Sequence, residues 1–301
     1  VYEQAFTVDV VAQQTAMAQA ALKEWWTTFV APLQPWLDRY SCVLIAPDGL
    51  MNALPFASLY DEKNQRYFCE THEILLTPNL ALWGALTARV ERPGPKPADK
   101  VLVVGSSARE GTAGALPAAV TEAYAVAEMF GDPMLLLERE ATLEQFVHAA
   151  PHACFIYIAA HGEYSIGVPA SSFIELADGL LRVRDILALR LAAPVVILNA
   201  CDTNKGHLLG NEMMGWVRGF LSAGASSIIA AHWQVEDIAA SELMIQLVRE
   251  VQAGSSLARA LQRAQQMLIR RAGHHATHPF FWGSYSVTGA GRWPAAAGAN
   301  A

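Results

Sequence analysis

Short apolar runs recur along the chain, each closed by turn-forming residues. They are Cys42 to Ala46 before Pro47-Asp48-Gly49, Ile74 to Thr77 before Pro78-Asn79, and Val101 to Val104 before Gly105-Ser106-Ser107, followed by Met134 to Leu137, Cys154 to Ala160, Val195 to Leu198 and Ser227 to Ala231. Runs of this length, rich in Val, Ile and Leu, predict buried strands. Helical patterns fill most of the gaps, including a strongly periodic stretch from Met213 to Ala223 and another from Ile238 to Gln252. Such alternation implies an α/β protein with a mostly parallel central sheet flanked by helices. Ahead of the first run, Val11 to Val30 is rich in helix formers and is expected to close at Pro32 and Pro35. Gln14, Met17, Gln19 and the Trp25-Trp26 pair make this opening helix amphipathic, with its Trp face read as core and a protein-binding stripe as the alternative.

The segment Glu91 to Asp99, ERPGPKPAD, holds three prolines and a glycine and reads as a linker. It divides a smaller N-terminal α/β lobe (1–92) from a larger lobe (100–293), with the linker itself at 93–99 and the tail 294–301, PAAAGANA, expected to be disordered. Composition and charge then change the picture. Charged residues are only 16% of the chain, against about 25% in ordinary soluble domains, which suggests a covered face. The net charge of -7, without any basic block, argues against direct nucleic-acid binding. No apolar run approaches the roughly 18 residues of a membrane span. The chain opens on Val1 without a leader-like segment, so it is expected to be excised from a longer polypeptide. Cys42, Cys69, Cys154 and Cys201 stand apart with no CxxC pair, which signals neither a zinc ribbon nor a disulfide scaffold and fits a reducing cytoplasm.

Open parallel sheets present functional groups just beyond the carboxyl ends of their strands. Two such ends carry chemistry: CFIYIAA runs directly into His161-Gly162-Glu163-Tyr164, and VVILNA runs directly into Cys201-Asp202-Thr203. If these strands are neighbours, a thiol and an imidazole emerge side by side, as a cysteine nucleophile and its acid/base partner require. Gly162 permits close backbone approach, and the amides of Gly162 and Cys201 are candidates for stabilising an oxyanion. The bland alternative is a buried small cysteine and a packed core histidine.

The segments YIAAHGEY, LNACDTNKG, GNEMMGWVRGFLSAGASSIIAAHWQVEDIAASELM and HPFFWGSYSVTG, in that order, resemble the CHAT domain family, caspase- and separase-like cysteine proteases often attached to TPR repeats. Weaker similarity extends upstream through LIAPDGLMNALPFASL, VLVVGSS, LPAAVTEA and IELADGLLRVRDIL, so that the resemblance spans most of Val43 to Gly289. It implies a caspase-like fold, a catalytic His161 in the family's HG motif and a catalytic Cys201 in its AC motif, with Asp202 standing where the family commonly has Glu. It further implies cleavage of a polypeptide substrate without metal or organic cofactor, in a bacterial defence or signalling pathway such as gasdermin activation or CRISPR-associated cleavage. A non-catalytic interaction module of a TPR-containing chain is the alternative. An activating partner is a further expectation from the resemblance, and acyl transfer or deamidation by the same dyad is a third alternative.

Trp233, Glu236 and Asp237 follow the strand SSIIAA, where caspase and separase relatives border the pocket for the residue before the scissile bond; with Asp202 they are the candidate substrate-binding residues. Asp237 could equally cap the helix that follows. Gly210-Asn211-Glu212 matches the family's GE motif and reads either as a helix start or as a dyad-orienting element. His148 and His152 have metal-like spacing that Pro151 interrupts, and His274, His275 and His278 fall in a loop before an expected HPFFW strand. Pro47-Asp48-Gly49 and Leu54-Pro55-Phe56 read as a turn and a packed loop.

Overall fold

The structure, a computed structural model, describes residues 8–91, 100–107, 117–163, 172–200, 212–233, 235, 237–271 and 277–293 of the 301. The first part of the chain forms helix α1 (Val8–Trp25), helix α2 (Gln34–Leu37), strands β1 (Cys42–Ile45), β2 (Tyr60–Asp61), β3 (Arg66–Tyr67) and β4 (Glu73–Leu76), and helix α3 (Leu80–Glu91). After the linker segment come β5 (Lys100–Gly105), α4 (Pro117–Ala127), β6 (Met134–Leu137), α5 (Leu143–Ala149) and β7 (Ala153–Ala159). Three short strands follow, β8 (Gly162–Glu163), β9 (Phe173–Glu175) and β10 (Leu180–Arg182), then α6 (Val183–Leu187), β11 (Val195–Asn199), α7 (Glu212–Ala223) and β12 (Ser227–Ala231). The chain closes with α8 (Asp237–Gln252), α9 (Leu257–Ile269), α10 (Pro279–Trp282) and β13 (Tyr285–Gly289).

Eight strands make the central sheet, in the order β1-β4-β13-β12-β11-β7-β5-β6. It consists of two parallel blocks, β1, β4 and β13 in one and the other five strands in the second, joined by a single antiparallel seam between β12 and β13. Strands from both sides of the 93–99 segment thus share one sheet. Each predicted apolar run forms a strand; the inner ones are apolar because both faces are buried, whereas edge strand β1, expected to be buried, has no buried residue. All seven residues of β7 are buried. Val103, Phe155, Tyr157, Ile197 and Ile229 point to a core shared with α4, α8 and α9, while Leu102, Ile156, Ile158, Val196 and Ile228 point to the opposite core with α5, α6 and α7. Burying each such side chain contributes about 1.5–3 kcal/mol.

Two expectations need correction. The opening helix does not stop at Pro32: a π-helical turn, Trp26–Val30, and a 3-10 turn, Ala31–Leu33, carry it into α2. Each proline occupies a first-turn position of the next short segment, where its missing N–H is not needed. Trp26 is buried, whereas Trp25 is 40% exposed and stacked on Phe29, so the Trp pair divides between core and surface. The expected HPFFW strand is instead α10, started by His278, whose Nδ1 accepts from the Phe280 amide; the strand is the next segment, β13. The tail from 294 and the linker 93–99 lie outside the described residues.

Candidate active site

Strands β7 and β11 are direct neighbours, parallel and in register from Phe155 opposite Val195 to Ala159 opposite Asn199. His161 is two positions past Ala159, and Cys201 is two positions past Asn199, so the sequence steps equally from the last paired rung toward each candidate. Cys201, Asp202 and Glu236 lie outside the described residues.

The histidine's backbone is fixed on two sides. The Ala160 amide donates to the Asn199 carbonyl at 3.4 Å, and the His161 carbonyl accepts from the Glu175 amide at 2.8 Å. Gly162 opens β8, which pairs antiparallel with β9. A Cβ at Gly162 would lie 2.9 Å from the Ala200 carbonyl oxygen and 3.3 Å from that of Phe173. The glycine is therefore required by the approach of one strand end to the other, and the peptide beside His161 packs on the residue that precedes Cys201. Half-buried His161 sits at the rim of this junction.

On the α4 face of the same strand ends lies a polar network that sequence reasoning missed. Glu122 of α4 is 2% exposed and accepts from the Tyr157 hydroxyl at 2.5 Å and from Asn199 Nδ2 at 2.8 and 3.0 Å. Asn199 Oδ1 in turn accepts from the Tyr285 hydroxyl at 2.6 Å. Burial, reinforced by the Glu122 carboxylate, pushes the Tyr157 hydroxyl well above its ordinary pKa, so it stays a donor. A signal was present in the sequence: Asn199 ends an otherwise apolar run, and Glu122 is the acid within the apolar LPAAVTEA segment.

β12 lies beside β11, so Trp233 leaves the sheet at the same edge. Its indole Nε1 donates to the Phe280 carbonyl at 2.9 Å and its ring stacks on Phe280, which is 44% exposed. Asp237 is the first residue of α8. His232, next to Trp233, is half-buried with its Nδ1 enclosed and unpartnered among the described residues, and burial lowers its pKa to about 4. Asp48 and Gly49 follow β1, which runs opposite to β7 and β11, so that turn is at the far edge of the sheet. Among the described residues no group of three His, Cys, Asp or Glu is arranged to hold a metal; the His148 and His152 rings lie 6.3 Å apart across a 3-10 turn. His274 and His275, with Gly210 and Asn211, are outside the described residues.

The CHAT domain matches residues 19–290. The chain belongs to the CHAT domain family. Among curated proteins, tetratricopeptide repeat protein 28 of Mus musculus is 23% identical over 337 residues, covering 92% of this chain and 13% of that protein. The Homo sapiens protein of the same name is 22% identical with the same coverage. This CHAT chain therefore spans 13% of the length of these relatives. Among solved structures, the Arg specific cysteine proteinase gingipain R aligns with a TM-score of 0.59 at 10% identity, over 92% of this chain and 67% of that one. Separase, in the separase–securin complex of Saccharomyces cerevisiae, aligns with a TM-score of 0.51 at 12% identity, over 82% of this chain and 15% of that one. The CHAT chain thus has the caspase-like fold of these proteases. No described helix is long and apolar enough to cross a membrane.

Proposed function

We propose that this CHAT domain is a cysteine endopeptidase in which Cys201 is the nucleophile and His161 its acid/base partner. The observation that carries the reading is the β7–β11 pairing, which makes neighbours of the two strand ends that lead to these residues. In the proposed reaction the Cys201 thiolate attacks the scissile carbonyl and forms a carbon–sulfur bond. Amides of Gly162 and Cys201 stabilise the oxyanion. The carbon–nitrogen bond then breaks as His161 protonates the leaving amine, and water deprotonated by His161 hydrolyses the thioester. Asp202, Trp233, Glu236 and Asp237 would border the pocket for the residue before the cut. The acids suit a basic side chain there. No metal or organic cofactor is needed for this chemistry.

The expected result is that Cys201→Ala and His161→Ala each reduce cleavage by about a thousandfold or more while the protein stays folded. The substrates to try are proteins encoded by neighbouring genes, since a bacterial defence or signalling role is what the family resemblance suggests for a cytoplasmic member. A wild-type-only fragment supports the reading, and equal activity in either variant removes it.

A second reading, a non-catalytic interaction module of a longer TPR-containing chain, draws on the curated relatives' name. It also draws on the apolar side chains Trp25, Phe29, Leu33, Trp36 and Tyr40, all at least 36% exposed along the opening helical segment and the turn after it. A peptide-like electrophile discriminates the two, modifying Cys201 selectively in a protease but without preference over exposed Cys42 in a scaffold, with buried Cys69 and Cys154 inert in either case.

A further inference from the structure

We infer that Asn199 is a positioning residue that sets the spacing between the strand ends leading to His161 and Cys201, and that Glu122 and Tyr285 hold it in place. The inference rests on the dyad proposed above. Both ends of the Asn199 side chain are engaged: the amide nitrogen spans the two oxygens of Glu122, and the amide oxygen takes the Tyr285 hydroxyl. Turning the amide over would set its oxygen against a carboxylate, so the side chain has one satisfied orientation. Its backbone carbonyl meanwhile accepts from Ala160, the residue before His161.

The carboxylate also ties the two strands together. Tyr157 on the histidine's strand and Asn199 on the cysteine's strand both donate to Glu122 from the same face of the sheet. Tyr285 adds a third strand, β13, to the arrangement. The two cores that these strands share with their helices are built from apolar side chains. A buried carboxylate accepting three hydrogen bonds from Tyr157 and Asn199 is a costly way to obtain stability, because apolar residues of similar volume commonly serve as well. What the polar network supplies is a fixed geometry at the strand ends, and displacing a reacting group by about 1 Å costs on the order of a hundredfold in rate.

The test is the pH profile of Cys201 alkylation by iodoacetamide, followed by mass spectrometry, beside kcat and KM on a cleaved substrate. Asn199→Ala is expected to move the alkylation midpoint up by about one pH unit or more, toward the ~8.5 of a free thiol, as the imidazolium is lost from its side. It should lower kcat rather than raise KM. Tyr285→Phe, which removes one oxygen and keeps the ring packed, should shift the midpoint in the same direction by less. It decides the matter if Asn199→Ala does not fold. Ser226→Ala removes a buried hydrogen bond, Oγ to the Pro194 carbonyl at 3.1 Å, at the opposite end of the sheet and should not move the midpoint. Wild-type midpoints in both Asn199→Ala and Tyr285→Phe, with stability alone reduced, would overturn the positioning role. A wild-type midpoint that His161→Ala leaves in place refutes the dyad itself, and the inference falls with it.

Discussion

Replacing Gly162 by alanine tests the approach of the two strand ends directly. The added Cβ would stand 2.9 Å from the Ala200 carbonyl oxygen and 3.3 Å from that of Phe173, where ordinary contact begins at 3.4 Å. Both obstacles are backbone, so neither can rotate away. Relief requires the histidine segment to withdraw from the β11 end by about half an ångström, since tightly packed neighbours yield only by moving together. Overpacking of this kind costs about 1–3 kcal/mol. A shift of that size at a reacting pair lowers the rate by about tenfold to a hundredfold, scaled from the loss per ångström of misplacement. Gly179, in the turn between β9 and β10, has nothing within 4 Å of its added Cβ and serves as the control. Urea denaturation and the rate of Cys201 alkylation at neutral pH would be measured for wild type, Gly162→Ala and Gly179→Ala. Gly179→Ala should match wild type to within about 0.5 kcal/mol. A Gly162→Ala protein with wild-type stability and wild-type alkylation would show that the strand ends do not press on one another as described.

Two further outcomes follow from buried polar groups. His232 has a folded pKa of about 4 against about 6.5 in an unfolded chain. The unfolded state therefore binds the extra proton, and stability falls as pH drops from about 6.5 toward 4, by roughly 3 kcal/mol in all. Urea midpoints measured across that range should fall less steeply in His232→Asn, and identical slopes would refute the assignment. Glu73, with its side chain 8% exposed, accepts from Arg259 at 2.7 and 2.8 Å and from Ser256 at 3.0 Å, tying β4 to α9. Glu73→Gln should cost about 1–3 kcal/mol at neutral pH by the same measurement, and a change below about 0.5 kcal/mol would contradict it.

The strands that build the sheet were legible because burial on both faces forces an apolar run between turns. His161 and Cys201 were legible as candidates because each directly follows such a run. What local pattern could not show was adjacency: that β7 lies beside β11 is a fact of strand order. Nor could it show that Tyr285 meets Asn199, 86 positions apart, or that Glu122 meets Asn199 across 77. The HPFFW segment misled because aromatic residues favour strands, while His278 and Pro279 supply a helix start that decides locally. The small β8-β9-β10 sheet was missed for a related reason: its strands are only two or three residues long and carry little periodic signal.

The last of the described strands, β13, occupies a middle place in the sheet, between β4 and β12. During synthesis, β1 and β4 emerge early and the five strands from β5 to β12 later, but the two groups cannot be zipped together until residues 285–289 have left the ribosome. Until then β4 and β12 each present a bare row of amides and carbonyls, the kind of surface that invites pairing with another nascent chain. Tyr285 arrives on that same keystone strand. The clamp on Asn199 is thus completed only once Tyr285 has been made, so a product terminated before it would lack that brace at the ends of β7 and β11.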